Sequence, residues 1–140
     1  MPPFEKKLIV KTSKIPDSGL GLFTKEFITN QSLIVEYKGR IITWKEGKHD
    51  GDNQYMYFIS YKRVIDAKRT KRAMARYAND ARGIKKVKGI TNNCVFINDG
   101  RKVYIKSIKN IAAGSEILVR YGKEYWDTIR YNLAIKSDNK

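Results

Sequence analysis

At 140 residues, 41% hydrophobic and 31% charged, the chain suffices for one domain, burying roughly 70% of its unfolded surface. No apolar run approaches about 18 residues, which excludes a membrane-spanning helix. One cysteine and one histidine exclude an internal disulfide, a Cys-rich zinc cluster and Cys–His catalysis, and the net charge of +15 directs attention to anionic partners.

The elements read mainly as β. "LIVKT" (8–12), "SLIVEY" (32–37), "RIITW" (40–44), "YMYFISY" (55–61), "CVFIN" (94–98), "KVYIKSI" (102–108) and "EILVRY" (116–121) are short and rich in β-branched and aromatic residues. Turn chemistry separates them. "YKGR" joins two strands, Asn98-Asp99-Gly100 is a hairpin signal, and "AAGS" leads into the last strand. Two stretches read as helical, about 70–78 and 123–132. In the second, Tyr125, Trp126, Ile129 and Leu133 recur near helical spacing. The class is mostly β, a small barrel or several small curved sheets with a few short helices. No repeat or composition shift marks a boundary, so residues 1–135 are expected to form a single domain and 136–140 a frayed tail. The opening "MPPFEKKLIVKT" lacks the apolar core of a signal peptide, so synthesis in the cytosol is expected, with a nuclear or host-chromatin destination left open.

The charge is clustered. Eleven Lys and Arg fall between Lys62 and Lys88, against Asp66 and Asp80. Such a field suits nucleic acid or an acidic protein face, and a solvated surface is the plainer alternative. Cys94, in "NNCVFIN", reads as a small buried thiol. His49, in the polar "KEGKHDGDNQ", reads as a surface residue.

Four segments carry the chemistry, in order: "SGLGLF" (18–23); "EYKGR" (36–40) with "YMYF" (55–58); "RYAND" (76–80) with "NNC" (92–94); and "AAGSEILVRYGKEYW" (112–126). Singly each has a bland reading. A Gly-x-Gly is often a turn, Asn-Asp pairs collect in turns, and Tyr55, Tyr57 and Tyr77 could be core aromatics with satisfied hydroxyls. Together, from about Lys11 to Trp126, they resemble the SET domain family of protein lysine methyltransferases. The last segment is the most specific, a Gly-x-Glu turn into a strand ending in Tyr-Gly with an aromatic–Trp pair after it.

That resemblance implies small curved sheets and a C-terminal pseudoknot, in which the last strand threads under an earlier loop and brings Asn79 near Tyr121. Such threading is rare enough that pattern reasoning would not produce it. It implies S-adenosylmethionine as cofactor, cradled by the backbone of Ser18, Gly19, Leu20 and Gly21. Tyr55 would reach its carboxylate end, while Arg76, Asn79 and Asp80 would line its amino-acid and adenine sides. Tyr37 and Tyr121 would form the lysine channel and carry catalysis, and Trp126 would cover the adenine or the channel mouth. The implied partner is a protein bearing a lysine, histones among the candidates, with nucleic acid or an acidic surface docking through Lys62–Lys88. No metal site and no membrane contact are expected.

Three departures stand out. Asp80 and Ala81 replace the family's usual His and Ser. No Cys-rich segment follows the domain. Val119 stands where many members carry a Phe or Tyr that helps set the number of methyl groups. Two other classes therefore remain as alternatives: an inactive SET-fold binding module, and a basic β-rich nucleic-acid-binding domain.

Overall fold

The computed structural model describes residues 4–50, 53, 55–81 and 88–120. Among the described residues ten strands follow one another: β1 (Leu8–Thr12), β2 (Leu20–Thr24), β3 (Leu33–Glu36), β4 (Arg40–Ile42), β5 (Met56–Ser60), β6 (Arg63–Asp66), β7 (Cys94–Asp99), β8 (Lys102–Ser107), β9 (Glu116–Ile117) and β10 (Val119–Arg120), with an α-helical turn, α1 (Trp44–Gly47), after β4. They form three small sheets, ordered β1-β2-β9, β10-β7-β8-β3 and β4-β6-β5. This is the mostly β, SET-type architecture expected. No helix among the described residues is long and apolar enough to cross a membrane.

The chain divides into two units. The first takes the described residues up to Tyr37 and from Met74 onward, with the first two sheets. Strand β8 alternates inward at Val103 and Ile105, while β2 buries Leu22 and Phe23 in succession, and with Ile34, Ile117 and Val119 these form a fully buried interior. The second unit's described residues lie within Lys38–Ala73 and carry the third sheet, where Val64 and Ile65 of the middle strand are buried.

The structure redraws several boundaries. The "RIITW" strand ends at Ile42, because Thr43 and Glu46 form a capping box that starts α1. Thr43 Oγ1 accepts from the Glu46 N–H, and the Glu46 carboxylate accepts from the Thr43 N–H. The helix expected over 70–78 shrinks to a 3₁₀ turn at Met74–Tyr77. Its hydrogen bonds close over three residues, as from Ala78 N–H to the Ala75 carbonyl (3.2 Å), and the three-residue pitch buries both alanines on one side. "SGLGLF" is mostly strand β2, and "EILVRY" divides between two sheets as β9 and β10. "YKGR" links strands of different sheets and makes no hairpin. In the β7–β8 hairpin Asp99 pairs with Lys102, so the turn is Gly100-Arg101, with Gly100 in the left-handed region (φ 62°) that a tight hairpin requires. The helix expected over 123–132 and the tail at 136–140 lie outside the described residues.

Candidate functional site

Residues 116–120 run between two other segments of the first unit. On one side Val119 and Arg120 pair in parallel with Cys94 and Val95 of β7. On the other, Leu118 forms a parallel bridge with Asn79, whose carbonyl accepts from the Val119 N–H at 2.8 Å. Glu116 and Ile117 meanwhile close the first sheet against β2. This is the crossing that the resemblance implies around Asn79.

Side chains hold the crossing where backbone pairing cannot. The Asn93 amide acts as a substitute strand, donating to the Glu116 carbonyl and accepting from the Leu118 N–H, both at 2.9 Å. Its neighbour Asn92 accepts from the Ala81 N–H (2.7 Å) and donates to the Asp80 carboxylate (2.8 Å). Glu116, only 6% exposed, accepts from the Ser13 hydroxyl (2.7 Å) and the Lys14 N–H (3.0 Å). A buried carboxylate requires such donors, since ion desolvation is otherwise costly. Beneath them Ile15, Ala81 and Leu118 form a small apolar cluster.

The glycine segment borders this scaffold. Ser18 donates its N–H to the Ile15 carbonyl (3.3 Å), and the Gly19 carbonyl accepts from the Ser13 N–H (2.8 Å). Gly19 is left-handed (φ 64°), a conformation that favours glycine, and a Cβ there would touch nothing. Gly21 differs: a Cβ would lie 2.5 Å from a Glu116 carboxylate oxygen and 3.1 Å from Ser13 Cβ. Glycine there lets the chain pass directly over the carboxylate. Leu20 is 51% exposed, and its carbonyl accepts from the Asn79 side-chain amide at 3.1 Å. Asn79 thus ties the start of β2 to β10, one bond from its side chain and one from its backbone.

The remaining candidates divide. Arg76 stacks its guanidinium 4.9 Å from the centre of the Tyr77 ring. The Asp80 carboxylate is buried and directed to Asn92, and Ala81 belongs to the apolar cluster, so both departures from the family pattern have structural partners. Tyr37 follows β3, is 5% exposed, donates its N–H to the Val103 carbonyl (2.7 Å) and meets Phe96 edge-to-face at 5.7 Å. Tyr55 belongs to the second unit, where its N–H donates to Asn53 Oδ1 (2.9 Å) and its carbonyl accepts from Ala67 (2.8 Å). Tyr121 and Trp126 lie outside the described residues. Burial pushes the Cys94 thiol up to about 12 and the Tyr57 hydroxyl above its ordinary value. Among the described residues no cluster of His, Cys, Asp and Glu could hold a metal ion.

Ser13, Asn92, Asn93 and Glu116 had no assigned role in the sequence. Their signal was present in the consecutive asparagines before β7 and the acid of the Gly-x-Glu turn, but their contacts run to distant backbone and leave no periodicity.

The SET domain family model matches residues 19–122. In an alignment of 131 positions covering 86% of this chain, it is 25% identical to the histone-lysine N-methyltransferase EZH2 of Chaetomium thermophilum, of which it spans 8%. The methyltransferase domain of human PR domain-containing protein 2 shares the fold with a TM-score of 0.65 and 23% identity, over 86% of this chain and 80% of that one. The family match includes the glycine segment from Gly19, "RYAND", both asparagines and Glu116, so the chain belongs to the SET domain family.

Proposed function

We propose that the chain is a protein-lysine N-methyltransferase that uses S-adenosylmethionine. The observation that carries this reading is the double tie of Asn79, to Leu20 of the glycine segment and to Val119 of the crossing. It joins the two stretches to which the resemblance assigns cofactor binding. The residues present fit such a group. The space beside Gly19 is open, Leu20 is half-exposed, and the Asn79 amide has bonding capacity beyond its bond to Leu20, which suits the polar edges of a nucleoside and an amino acid. Ser18 to Gly21, Arg76 and Asn79 would hold it, with Asp80 setting Asn92 behind them. The family resemblance alone would add Tyr55 and Trp126.

When bound, the cofactor would supply an electrophilic methyl group and a sulfonium charge that disfavours a neighbouring ammonium. The protein must deliver a neutral amine. A free lysine has a pKa near 10.4, so roughly one in 2,500 is neutral at pH 7, a deficit of about 4.6 kcal/mol. Cys94 is buried with its thiol raised, so it stays protonated and does not serve as a base here. An apolar channel disfavours the ammonium instead. Tyr37, buried against Phe96, is a wall of that kind. The hydroxyls of Tyr37 and Tyr121 would accept hydrogen bonds from the amine and align it, and alignment of this kind is worth several kcal/mol.

The substrate in this reading is a lysine-bearing protein, with histones first because the curated relative is a histone-lysine methyltransferase. Titration calorimetry and single-turnover methylation test it together. Asn79→Ala should bind S-adenosylmethionine at least about tenfold more weakly. Tyr121→Phe should bind it within about threefold of wild type yet lose about a hundredfold in turnover, near 2.7 kcal/mol. Cofactor binding without turnover on any lysate protein would favour the inactive binding module, and no cofactor binding would end the proposal.

A further inference from the structure

The second unit carries a row of aromatic rings, exposed at Phe58 and Tyr61 and half-buried at Trp44. Trp44 of α1 meets Phe58 of β5 edge-to-face at 5.7 Å, and Phe58 meets Tyr61, in the β5–β6 turn, at 5.4 Å. The Trp44 N–H donates to the Tyr61 carbonyl at 2.8 Å, fixing the two ends of the row to one another. Ile42, Val64 and Phe58 lie side by side across the sheet; the first two are buried, but Phe58 stays 48% exposed and Tyr61, in the turn that follows its strand, 74%. Edge-to-face packing orients the rings without stacking them on one another. An oriented, exposed apolar row is an interaction surface in waiting.

Charge selects what fits it. An exposed lysine directly follows each end ring, Lys45 after Trp44 and Lys62 after Tyr61. The acid of α1, Glu46, is engaged by its cap Thr43 and by Arg40 at 3.6 Å. A second copy of the chain would bring +15 against +15, and an acidic protein offers charge but few flat faces. A single strand of nucleic acid offers both: unstacked bases for the rings and phosphates for the lysines. A duplex keeps its bases stacked and leaves the rings without a partner.

We propose that the Trp44–Phe58–Tyr61 row, with Lys45 and Lys62, is a binding face for single-stranded nucleic acid. It is independent of methyl transfer, so either activity can fail without the other.

The test is fluorescence anisotropy of the full chain with labelled dT20 and U20 strands, against a duplex of equal length and polyglutamate. The single strands should bind at least about tenfold more tightly than duplex or polyglutamate at equal salt. Tyr61→Ala and Phe58→Ala should each weaken single-strand binding at least about fivefold. Lys62→Gln should lower the slope of log affinity against log salt by about 0.7. Tyr61 is a highly exposed turn residue, so Tyr61→Ala should keep the wild-type melting temperature. Wild-type affinity in folded Tyr61→Ala overturns the proposal. Equal binding of duplex or polyglutamate also overturns it, as does a dimer in sedimentation that Tyr61→Ala dissolves.

Discussion

At the crossing, asparagine and glutamate side chains bond to backbone from distant parts of the chain: Asn93 to Glu116 and Leu118, Glu116 to Lys14, Asn79 to Leu20. In the second unit two ion pairs lie at the surface, Lys68 with Asp50 at 3.4 Å and Arg40 with Glu46 at 3.6 Å. The first arrangement costs desolvation and gains a unique geometry. The second gains solubility and little rigidity. A site that must hold a cofactor's backbone contacts in place calls for the first kind; a face that meets a flexible polymer can use the second.

The sharpest way to break this contrast is Asn93→Ala. It removes both arms that hold residues 116–118 and leaves a carbonyl and an N–H without their partner, so urea unfolding should show a loss of about 3 kcal/mol. A loss below about 1 kcal/mol would mean that strand pairing alone holds the crossing. Next comes Gly21→Ala, which forces the Glu116 carboxylate from its position and should cost about 2 kcal/mol in the same assay. Gly19→Ala, with open space but φ 64°, should cost only about 1 kcal/mol.

Alkaline pH probes the same region. The folded Cys94 thiol sits at about 12, above its unfolded value near 8.5. Its contribution is therefore complete below about 8.5 and is lost as pH rises toward 12, with a slope approaching 1.4 kcal/mol per pH unit. Denaturation curves at pH 9 to 11 should show that slope reduced in Cys94→Ala. The smallest effect belongs to the surface. Lys68→Ala should change stability by less than about 0.5 kcal/mol, and 0.5 M salt should erase even that. A larger loss would erase the distinction between the two regions.

The β7–β8 hairpin and β1 were legible because alternating β-branched residues and turn chemistry agree. Strand β2 was not, since Gly21 within it and Gly19 just before it lower strand propensity and read as a loop. The turn α1 was hidden by the isoleucines before it, although Thr43 and Glu46 carried the capping signal. At the site, Asn79 could be singled out only through the family resemblance. Its partners Leu20 and Val119 are far away in sequence, and a side chain bonded to backbone leaves no mark on hydropathy. The same reason hid Asn93 and Glu116.

Cys94 has a practical consequence. It is the chain's sole thiol, wholly buried in β7 beside β10, with its proton held up to about 12. The thiolate that reacts with alkylating reagents is therefore nearly absent until this strand pair opens. The rate of alkylation in native buffer becomes a clock for that opening, read by mass at one position without any label introduced. Anything that tightens the first unit, a bound cofactor included, should slow the clock, and anything that loosens the Asn93 arms should speed it.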